Sequence, residues 1–420
     1  MQTEKSNSLA PFLILTFIYF IVGFMTTING QLQGPLKIAF LADATGLKNT
    51  LTTLISFFFF LGYLLNSRLG GKWINSRGYK TALMRALVIM IAGLLMYFLS
   101  SLFAMYYGDT GIRIPSGSIA YGYLIFLSGA YLMGTSAAIL QVVINPYIAA
   151  YEVRGTQPVQ RVNIVCAVNS FGTTIAPFFV TGVMFAGVAP ADLQASQLTL
   201  PFMLIALCVT LTALITRRLN LPDLQATRAE EGEKLERSVW SFRHFALGAV
   251  AIFFYVGGEV AIGVNVNLHA MEIGSDPALP ATLYWGGMMI GRIVSGFLSK
   301  ISPRIQLTVS TISAALLILV AVFSNNLWIL VSVGLCHSVM WGCIFTLSVH
   351  GLQKYTSKAS GVFMMSVFGG AVFPVLQGFL ADILGSWQWT WLIVVVCELV
   401  MLYYALWGSQ VKEAECLNVN

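Results

Sequence analysis

The sequence predicts an all-α integral membrane protein with twelve transmembrane helices in two pseudo-symmetric six-helix halves. Composition is the first observation that predicts this class: 57% of the 420 residues are hydrophobic and 10% are charged, whereas soluble domains carry roughly 25% charged residues. Run length is the second, because the apolar residues gather into runs of roughly the 20 residues that a helix needs to cross a bilayer. In lipid, helices satisfy their own backbone hydrogen bonds.

Twelve apolar runs are long enough to be membrane spans. The first follows the polar start MQTEKSNS and is longer than the apolar core of a signal peptide, without a small-residue cleavage site. We therefore interpret it as a retained span. The predicted spans cover residues 10–38, 50–69, 82–106, 119–150, 160–187, 198–217, 243–271, 279–299, 306–324, 327–351, 359–384 and 388–408.

One long polar stretch separates the first six spans from the last six. We therefore predict an N-terminal six-helix bundle over residues 1–217, a linker over 218–241 and a C-terminal six-helix bundle over 242–420. Such a division into two sets of six is the third observation behind the predicted class, because the two sets also resemble one another in sequence.

One pattern repeats between the sets: a basic residue, then Gly eleven positions later, then Pro five positions after that. Its members are Arg161, Gly172 and Pro177 in the fifth span, and Lys358, Gly369 and Pro374 in the eleventh. Related halves with polar breaks in corresponding helices are typical of secondary transporters. INGQLQGP (28–35) in the first span and VGGEVAIG (256–263) in the seventh are the predicted breaks. A chance pairing of Gly and Pro is the alternative.

The basic residues predict the orientation in the membrane. If both termini and the linker lie on one side, that side holds all of the 23 Lys and Arg residues except Lys37, Lys48 and Arg113. By the positive-inside rule that side is cytoplasmic, so the linker and both termini are predicted to be cytoplasmic. The net charge of +6 is then a consequence of topology, and we expect no nucleic-acid partner.

The sequence also bears on compartment and cofactors. It contains no Asn-x-Ser/Thr glycosylation acceptor, which favours a bacterial inner (cytoplasmic) membrane over a eukaryotic cell surface. The six cysteines are scattered without a CxxC pair, so we expect neither a disulfide framework nor a metal site. We expect no cofactor, and a monomer embedded in the lipid bilayer.

Glu259 lies at the middle of the seventh predicted span. A carboxylate at the centre of a membrane helix costs about 2.5–3.5 kcal/mol on insertion scales, and such groups usually serve a function. Tyr255, Gly263 and Asn267 lie on the same helix face at steps of four residues. This face predicts a transport pathway. The alternative is a structural hydrogen bond, because small and polar residues also hold membrane helices together.

The connection between the second and third spans, GKWINSRGYK (71–80), resembles the signature of the major facilitator superfamily. Asn75 stands where that signature has an acid, which weakens the usual charge contact between helices. Asn145-Pro-Tyr, Asn169-Ser-Phe-Gly, FYVGGEVAIG (254–263) and the stretch 357–382 together resemble the fucose–galactose–glucose:proton symporter family. The seventh-span motif is most similar to the glucose/galactose branch of that family.

The resemblance implies a twelve-helix fold with a central cavity that opens alternately to each side and holds a sugar between the halves. It also implies one acid in the first helix and another in the fourth, both used in coupling and binding. Gln31 and Gln141 occupy these two positions here. Because glutamine cannot carry a proton, Glu259 becomes the candidate coupling group, either by exchanging a proton or by binding Na⁺ as an oxygen ligand.

Neutral amides suit an uncharged, hydroxyl-rich ligand, because each one both donates and accepts and is cheaper to bury than a charge. Trp side chains can stack on the apolar face of a sugar ring. Hydrogen bonding between helices is the alternative role for any single amide. The candidate substrate-binding residues are Asn29, Gln31, Gln141, Asn145, Asn163, Asn169, Asn267, Trp285, Trp341 and Gln377.

Two further ionisable residues lie in predicted spans. His337 is a candidate coupling residue because histidine titrates near neutral pH; a neutral, hydrogen-bonded core histidine is the alternative. We expect Glu398, in the last helix, to be a packing or interface carboxylate.

These features predict a secondary active transporter that imports a small neutral sugar, coupled to H⁺ or Na⁺. The alternatives are an uncoupled sugar uniporter and a carrier or exporter of another small polar solute. A membrane-bound enzyme is disfavoured, because the sequence has no metal-ligand spacing, nucleophile elbow or P-loop. A non-transporting sensor with the same fold is a further alternative.

Overall fold

The structure is a computed structural model that describes residues 9–44, 46–108, 110–114, 117–153, 156, 158–189, 192–221, 237–295, 301–352 and 355–411. Apart from one short hairpin, the regular secondary structure of the described chain is helical. Residues 222–236, most of the predicted linker, lie outside the described residues.

The membrane-crossing segments are named span 1 to span 12 in chain order. They are Leu9–Gln31 continued by Gln33–Phe40 (span 1), the two parts of Lys48–Tyr107 on either side of Gly78 (spans 2 and 3), Tyr121–Ala150 (4), Pro158–Phe179 continued by Val180–Met184 (5), Thr199–Arg218 (6), Arg243–Glu272 (7), Ala278–Ser295 (8), Pro303–Ser324 (9), Leu327–His337 with Met340–Val349 (10), Thr356–Ser366 with Gly369–Leu384 (11), and Leu392–Tyr403 with Tyr404–Gly408 (12).

The predicted count of twelve is confirmed. Ten helices of the described chain are long and apolar enough to cross a membrane. The helix Lys48–Tyr107 counts twice, because its 60 residues would extend about 90 Å at 1.5 Å per residue, three times the bilayer core. The 18-residue helix Ala278–Ser295 is the remaining span.

Gly78 divides spans 2 and 3. Its φ of 81° and ψ of 167° interrupt the helix, and this left-handed φ is accessible to glycine without strain. The chain reverses there, because Asn66 before it and Gly93 after it both contact the same stretch of span 4, around Met133 and Thr135. The predicted spans end at 69 and begin again at 82, whereas the helices extend through residues 71–80 on both sides of Gly78.

Span 1 is broken where the sequence predicts a break, at Leu32. The matching break predicted in span 7 is wrong, because Arg243–Glu272 is one continuous helix. The glycines of VGGEVAIG serve close packing instead: a Cβ at Gly257 would lie 2.1 Å from the ring of Phe373. Small residues in membrane helices let neighbouring helices approach in this way.

Spans 10 and 11 contain breaks that the sequence does not predict. The helix of span 10 stops at His337 and resumes at Met340, and that of span 11 stops at Ser366 and resumes at Gly369. Broken membrane helices are tolerated where other groups satisfy the freed backbone or where it lines a cavity.

The repeated Gly positions make equivalent contacts. A Cβ at Gly172 would lie 2.7 Å from the backbone oxygen of Phe20 in span 1, and one at Gly369 would lie 1.7 Å from that of Phe253 in span 7. Span 5 thus meets span 1 as span 11 meets span 7. The repeat therefore has a packing reason: each Gly admits the backbone of the first helix of its own set.

A two-stranded antiparallel hairpin joins spans 3 and 4. Strand β1, Gly111–Ile114, pairs with strand β2, Gly117–Ala120, in the register Gly111↔Ala120 and Ile114↔Gly117. This hairpin is not among the elements predicted from the sequence.

Candidate functional site

A cavity of about 1780 Å³ lies between the first six spans and the last six. It extends to the end of the molecule where the predicted cytoplasmic connections lie, here called the basic end, because Arg68 and Lys358 are among its lining residues there. Drug-sized ligand sites usually occupy roughly 300–1,000 Å³, so the cavity has room for a small ligand together with water.

The opposite end is closed by Asp382 of span 11. Its carboxylate accepts hydrogen bonds from the backbone N–H groups of Asn49 (2.9 Å) and Thr50 (2.8 Å) and from the Thr50 hydroxyl (2.6 Å). These donors lie in the first turn of span 2, where backbone N–H groups have no partner within the helix and where the helix dipole favours an anion. Charge-assisted bonds therefore join the two sets of spans at this end.

A polar layer lies between the cavity and the closed end. The Gly263 carbonyl in span 7 accepts from Gln31 Nε2 (3.0 Å) and from Trp285 Nε1 (3.1 Å). Asn267 Nδ2 donates to Gln31 Oε1 at 3.4 Å. Gln31, next to the break in span 1, therefore joins span 1 to span 7 in this conformation.

Six of the predicted binding residues line the cavity together. Asn169 Nδ2 donates to the backbone oxygen of Tyr19 (2.7 Å), and Gln141 Nε2 donates to the Tyr63 hydroxyl (2.8 Å). Asn163 is exposed to the cavity. The six residues are Gln141, Asn145, Asn163, Asn169, Trp285 and Trp341.

The other predicted binding residues are buried outside the cavity lining. Asn29 Oδ1 accepts from the Tyr97 hydroxyl at 2.5 Å. Gln377 accepts from Asn265 (2.9 Å) and donates to Thr390 (3.1 Å). Gln31 and Asn267 belong to the polar layer. In this conformation these four side chains hydrogen-bond between helices, and their contact with a sugar stays a prediction.

Tyr19 and Tyr63 line the cavity beside the amides, and the sequence analysis does not select them. Their signal, a hydroxyl-bearing ring within an apolar run, does not separate them from Tyr97 or Tyr123, which are buried elsewhere.

Glu259 reaches the cavity and lies near a cation. Its Oε1 is 3.7 Å from Nη2 of Arg292 in span 8, and their side chains are 12% and 36% exposed, respectively. Arg292 Nη1 also donates to the Ser170 hydroxyl in span 5, at 2.7 Å. One guanidinium therefore contacts a carboxylate of the last six spans and a hydroxyl of the first six. From the sequence, Arg292 counts among the basic residues that predict the orientation, although its place inside a predicted span marks it as unusual.

His337 and Glu398 form a second pair, behind the cavity wall. His337 Nε2 lies 2.7 Å from Glu398 Oε1, and neither side chain is exposed. The other ring nitrogen, Nδ1, lies 2.6 Å from the Tyr284 hydroxyl. Glu398 is thus a buried carboxylate bonded to a histidine of another helix, which agrees with the packing role expected of it and not with an interface role.

Comparison with known proteins identifies the fold and the family. The model of the Major Facilitator Superfamily matches residues 15–373. A glucose/galactose transporter of Brucella abortus is 31% identical over 94% of this chain and 93% of its own. The L-fucose-proton symporter of Escherichia coli is 25% identical over 97% of this chain and 95% of its own.

Solved structures of transporters have the same fold. The fucose:proton symporter FucP of E. coli superposes with a TM-score of 0.69 at 21% identity, covering 96% of this chain and 99% of its own. The inward-open xylose transporter XylE of E. coli superposes with a TM-score of 0.73 at 14% identity, covering 97% of this chain and 98% of its own. The chain belongs to the Major Facilitator Superfamily.

Proposed function

We propose that the protein is a secondary active transporter that imports a small neutral sugar across a bacterial inner membrane, coupled to the entry of protons. The observation that carries the proposal is the cavity, which has neutral amides on one wall and the Glu259–Arg292 pair on the other. The names of its relatives, a glucose/galactose transporter and an L-fucose-proton symporter, support it. A transporter, not an enzyme, is what this family membership indicates.

Sugar recognition is assigned to the side chains that line the cavity. Gln141, Asn145 and Asn169 offer both donors and acceptors, which suits hydroxyl groups that do both. Trp285 and Trp341, from the opposite wall, offer aromatic faces to the C–H face of a sugar ring. A sugar in this position touches both sets of spans, so its binding can favour their closure around it.

The coupling ion is assigned as H⁺ rather than Na⁺. A sodium site requires several oxygen ligands around the cation, whereas the Arg292 guanidinium lies 3.7 Å from Glu259 and repels a metal cation. A proton on Glu259 cancels the charge that faces Arg292. Of its two partners, the guanidinium then keeps only the Ser170 hydroxyl as a polar contact of full strength. The charge state of Glu259 therefore changes the contact that joins the two sets of spans.

The orientation follows the basic residues: the basic end is cytoplasmic, so the cavity faces inward and Asp382 closes the periplasmic side. Residues 1–217 and 242–420 act as two bundles that rock about the sugar, joined by the cytoplasmic linker 218–241. The protein acts as a monomer in the lipid bilayer. Outward opening requires the bonds from Asn49 and Thr50 to Asp382 to separate.

An uncoupled sugar uniporter is the second candidate, and a specific observation favours it. Gln31 and Gln141 stand where the resemblance places acids, and neither can exchange a proton.

The test uses Glu259→Gln in proteoliposomes with labelled D-glucose and D-galactose. The parent should accumulate sugar under an imposed inward proton gradient. The variant should not accumulate it, but should still exchange sugar between equal pools, because Gln keeps the shape and hydrogen bonding of the side chain without the titrating charge. Glu272→Gln is the matched control: Glu272 ends the same helix and accepts from the Trp387 N–H, which a glutamine oxygen can still do.

Accumulation that survives in Glu259→Gln refutes the coupling role of Glu259. If the parent equilibrates sugar without accumulating it, under a proton gradient and under a sodium gradient, the protein is a uniporter. If accumulation follows the sodium gradient alone, the assignment of the ion is wrong.

A further inference from the structure

The His337–Glu398 pair lies directly behind a helix break that borders the cavity. His337 is the last helical residue before the break in span 10, and Ser338 and Val339 of the break line the cavity. The His337 carbonyl, at the break, accepts from the Tyr255 hydroxyl at 3.0 Å. Tyr255 precedes Glu259 by one turn of span 7. The break at Ser338 and Val339 therefore separates the pair from the cavity, and the Tyr255 hydrogen bond connects His337 to the helix that carries Glu259.

The hydrogen bonds of the pair are compatible with two proton counts. With one shared proton the pair has no net charge. It is then either an imidazolium beside a carboxylate or an imidazole beside a carboxylic acid, and in both forms Nδ1–H donates to the Tyr284 oxygen. Without that proton, Nε2–H donates to Glu398, and Nδ1 accepts from the Tyr284 hydroxyl. Because a tyrosine hydroxyl can donate or accept, both counts keep every hydrogen bond.

Burial favours the neutral count, since an unpaired charge in an apolar interior is costly. Glu398 Oε2 is buried without a hydrogen-bond partner among the described residues, so His337 alone among them stabilises the ionised carboxylate through a hydrogen bond. In the part of the chain that the structure describes, the titratable groups that face the pair from the neighbouring helices, or adjoin it in the chain, are Tyr255, Glu259, Tyr284, Cys336 and Cys397, and Arg292 lies beyond them, next to Glu259.

Charge balance links the two sites. With Glu259 ionised, Arg292 is neutralised by Glu259 and the pair must hold its proton. With Glu259 protonated, Arg292 is left with a positive charge, which a proton-free, negative pair offsets across the same bundle. One proton on either site thus keeps the set of four side chains neutral.

We propose that the His337–Glu398 pair is a proton-binding site in series with Glu259, and that one proton moves between them during transport. The proton leaves the pair, which becomes a neutral imidazole beside a carboxylate, and arrives on the Glu259 carboxylate, which becomes a carboxylic acid. Because neither side chain of the pair is exposed in this conformation, the transfer requires cavity water to enter at the break formed by Ser338 and Val339. The inference rests on the proposed function and adds a second site to it.

The test compares the parent with Glu398→Gln in proteoliposomes and in detergent. The glutamine oxygen still accepts from His337 Nε2, so the local structure is kept while the titrating group is removed. We expect Glu398→Gln to exchange D-glucose or D-galactose between equal pools as the parent does, and to lose accumulation under a proton gradient. Glu272→Gln is again the control and should accumulate sugar as the parent does.

Equilibrium binding separates this role from a structural one. The sugar-binding form holds one proton on this set of four side chains, and a rise in pH removes it. Sugar affinity of the parent should therefore rise as the pH falls, by up to about tenfold per pH unit where one proton is linked to binding. Glu398→Gln should flatten this dependence. Glu398→Asp, which keeps a carboxyl group, should restore accumulation with its pH dependence displaced. If Glu398→Gln does not fold, the double variant His337→Gln/Glu398→Gln, with two amides in the same space, replaces it.

Accumulation and an unchanged pH dependence in Glu398→Gln, or in the double variant, overturn the inference while leaving the proposed function intact. A parent that neither binds nor exchanges these sugars overturns the proposed function itself.

Discussion

The two walls of the cavity differ in kind near its middle. The wall built by the first six spans presents neutral groups, such as Gln141 and Asn169, each hydrogen-bonded to a neighbouring tyrosine. The wall built by the last six presents Glu259 beside Arg292, with the His337–Glu398 pair behind it. The difference shows that one part of a cavity can select a neutral ligand while another part responds to an ion.

A physical reason favours the separation. A charge close to a neutral ligand attracts water and competing ions, whereas an amide offers both donor and acceptor without a net charge. A titratable group that couples protonation to conformation needs a partner that stabilises its charged form to a different extent in each conformation. Arg292 can do this because it contacts Ser170 of the other wall.

The largest effect should come from removing the positive charge of Arg292 from the wall that the last six spans build. Arg292→Gln leaves Glu259 ionised without its cation and removes the bond to Ser170. A lone carboxylate at the centre of a membrane costs about 2.5–3.5 kcal/mol on insertion scales, and cavity water relieves part of this. We expect sugar exchange, not only accumulation, to fall at least about tenfold, the change that roughly 1.4 kcal/mol produces.

The double variant Glu259→Gln/Arg292→Gln makes the wall neutral and should recover exchange without accumulation. Arg217→Gln, at the basic end of span 6, is the control for loss of a basic residue. If Arg292→Gln exchanges sugar as the parent does, the two walls do not differ in the way proposed.

A smaller effect should follow from truncating the neutral wall. Gln141→Ala leaves the Tyr63 hydroxyl, and any sugar hydroxyl that the amide held, without a partner. An unpaired buried group costs about 1–3 kcal/mol, so we expect sugar affinity in detergent to fall by about 5- to 150-fold while the pH dependence of affinity is kept.

The sequence-based prediction gives Gln31→Ala a loss of the same size. A loss confined to Gln141→Ala would restrict recognition to the cavity lining of this conformation. Gln377→Ala is the control, because that amide is buried between Asn265 and Thr390 and should change stability rather than affinity. Parent-like affinity in both Gln141→Ala and Gln31→Ala would show that the sugar binds elsewhere.

The smallest effect should come from Asp382 at the closed end, which joins the two sets of spans outside the cavity. Asp382→Asn keeps an oxygen acceptor but loses the charge that suits the helix terminus, worth about 0.3–1 kcal/mol and up to about 2 in partly buried sites. We expect a modest shift of population toward the outward-open form.

Distances between spin labels at Ala42 and Leu384 in detergent would measure this shift, with longer distances gaining weight in the variant. Asp43→Asn, an exposed acid at the same end, should leave the distribution unchanged. A distribution in Asp382→Asn identical to that of the parent would mean that the carboxylate does not hold this end closed.

The features that could be predicted from the sequence are those with a local signal. The twelve spans follow from the length of the apolar runs, and the break beside Gln31 follows from the glycines around it. The position of Glu259 in the middle of span 7, bordering the cavity, needs only the periodicity of one helix.

The features that could not be predicted depend on partners far apart in the chain. Asp382 meets Asn49 across 333 positions, and no property of either residue specifies the other. The break at Ser338 and Val339 contains neither Gly nor Pro. The expected break in span 7 fails because the same glycines that permit a break also permit close packing, and neighbouring side chains decide between the two.

The contact at Asp382 has a consequence for what the transporter exchanges with its surroundings. When the closed end opens, two backbone N–H groups and one hydroxyl lose their carboxylate partner together, and the carboxylate loses three donors. Only solvent can replace them, so each outward opening binds a small, fixed group of water molecules and each closing releases it. The two forms therefore differ in the hydration of this end as well as in shape.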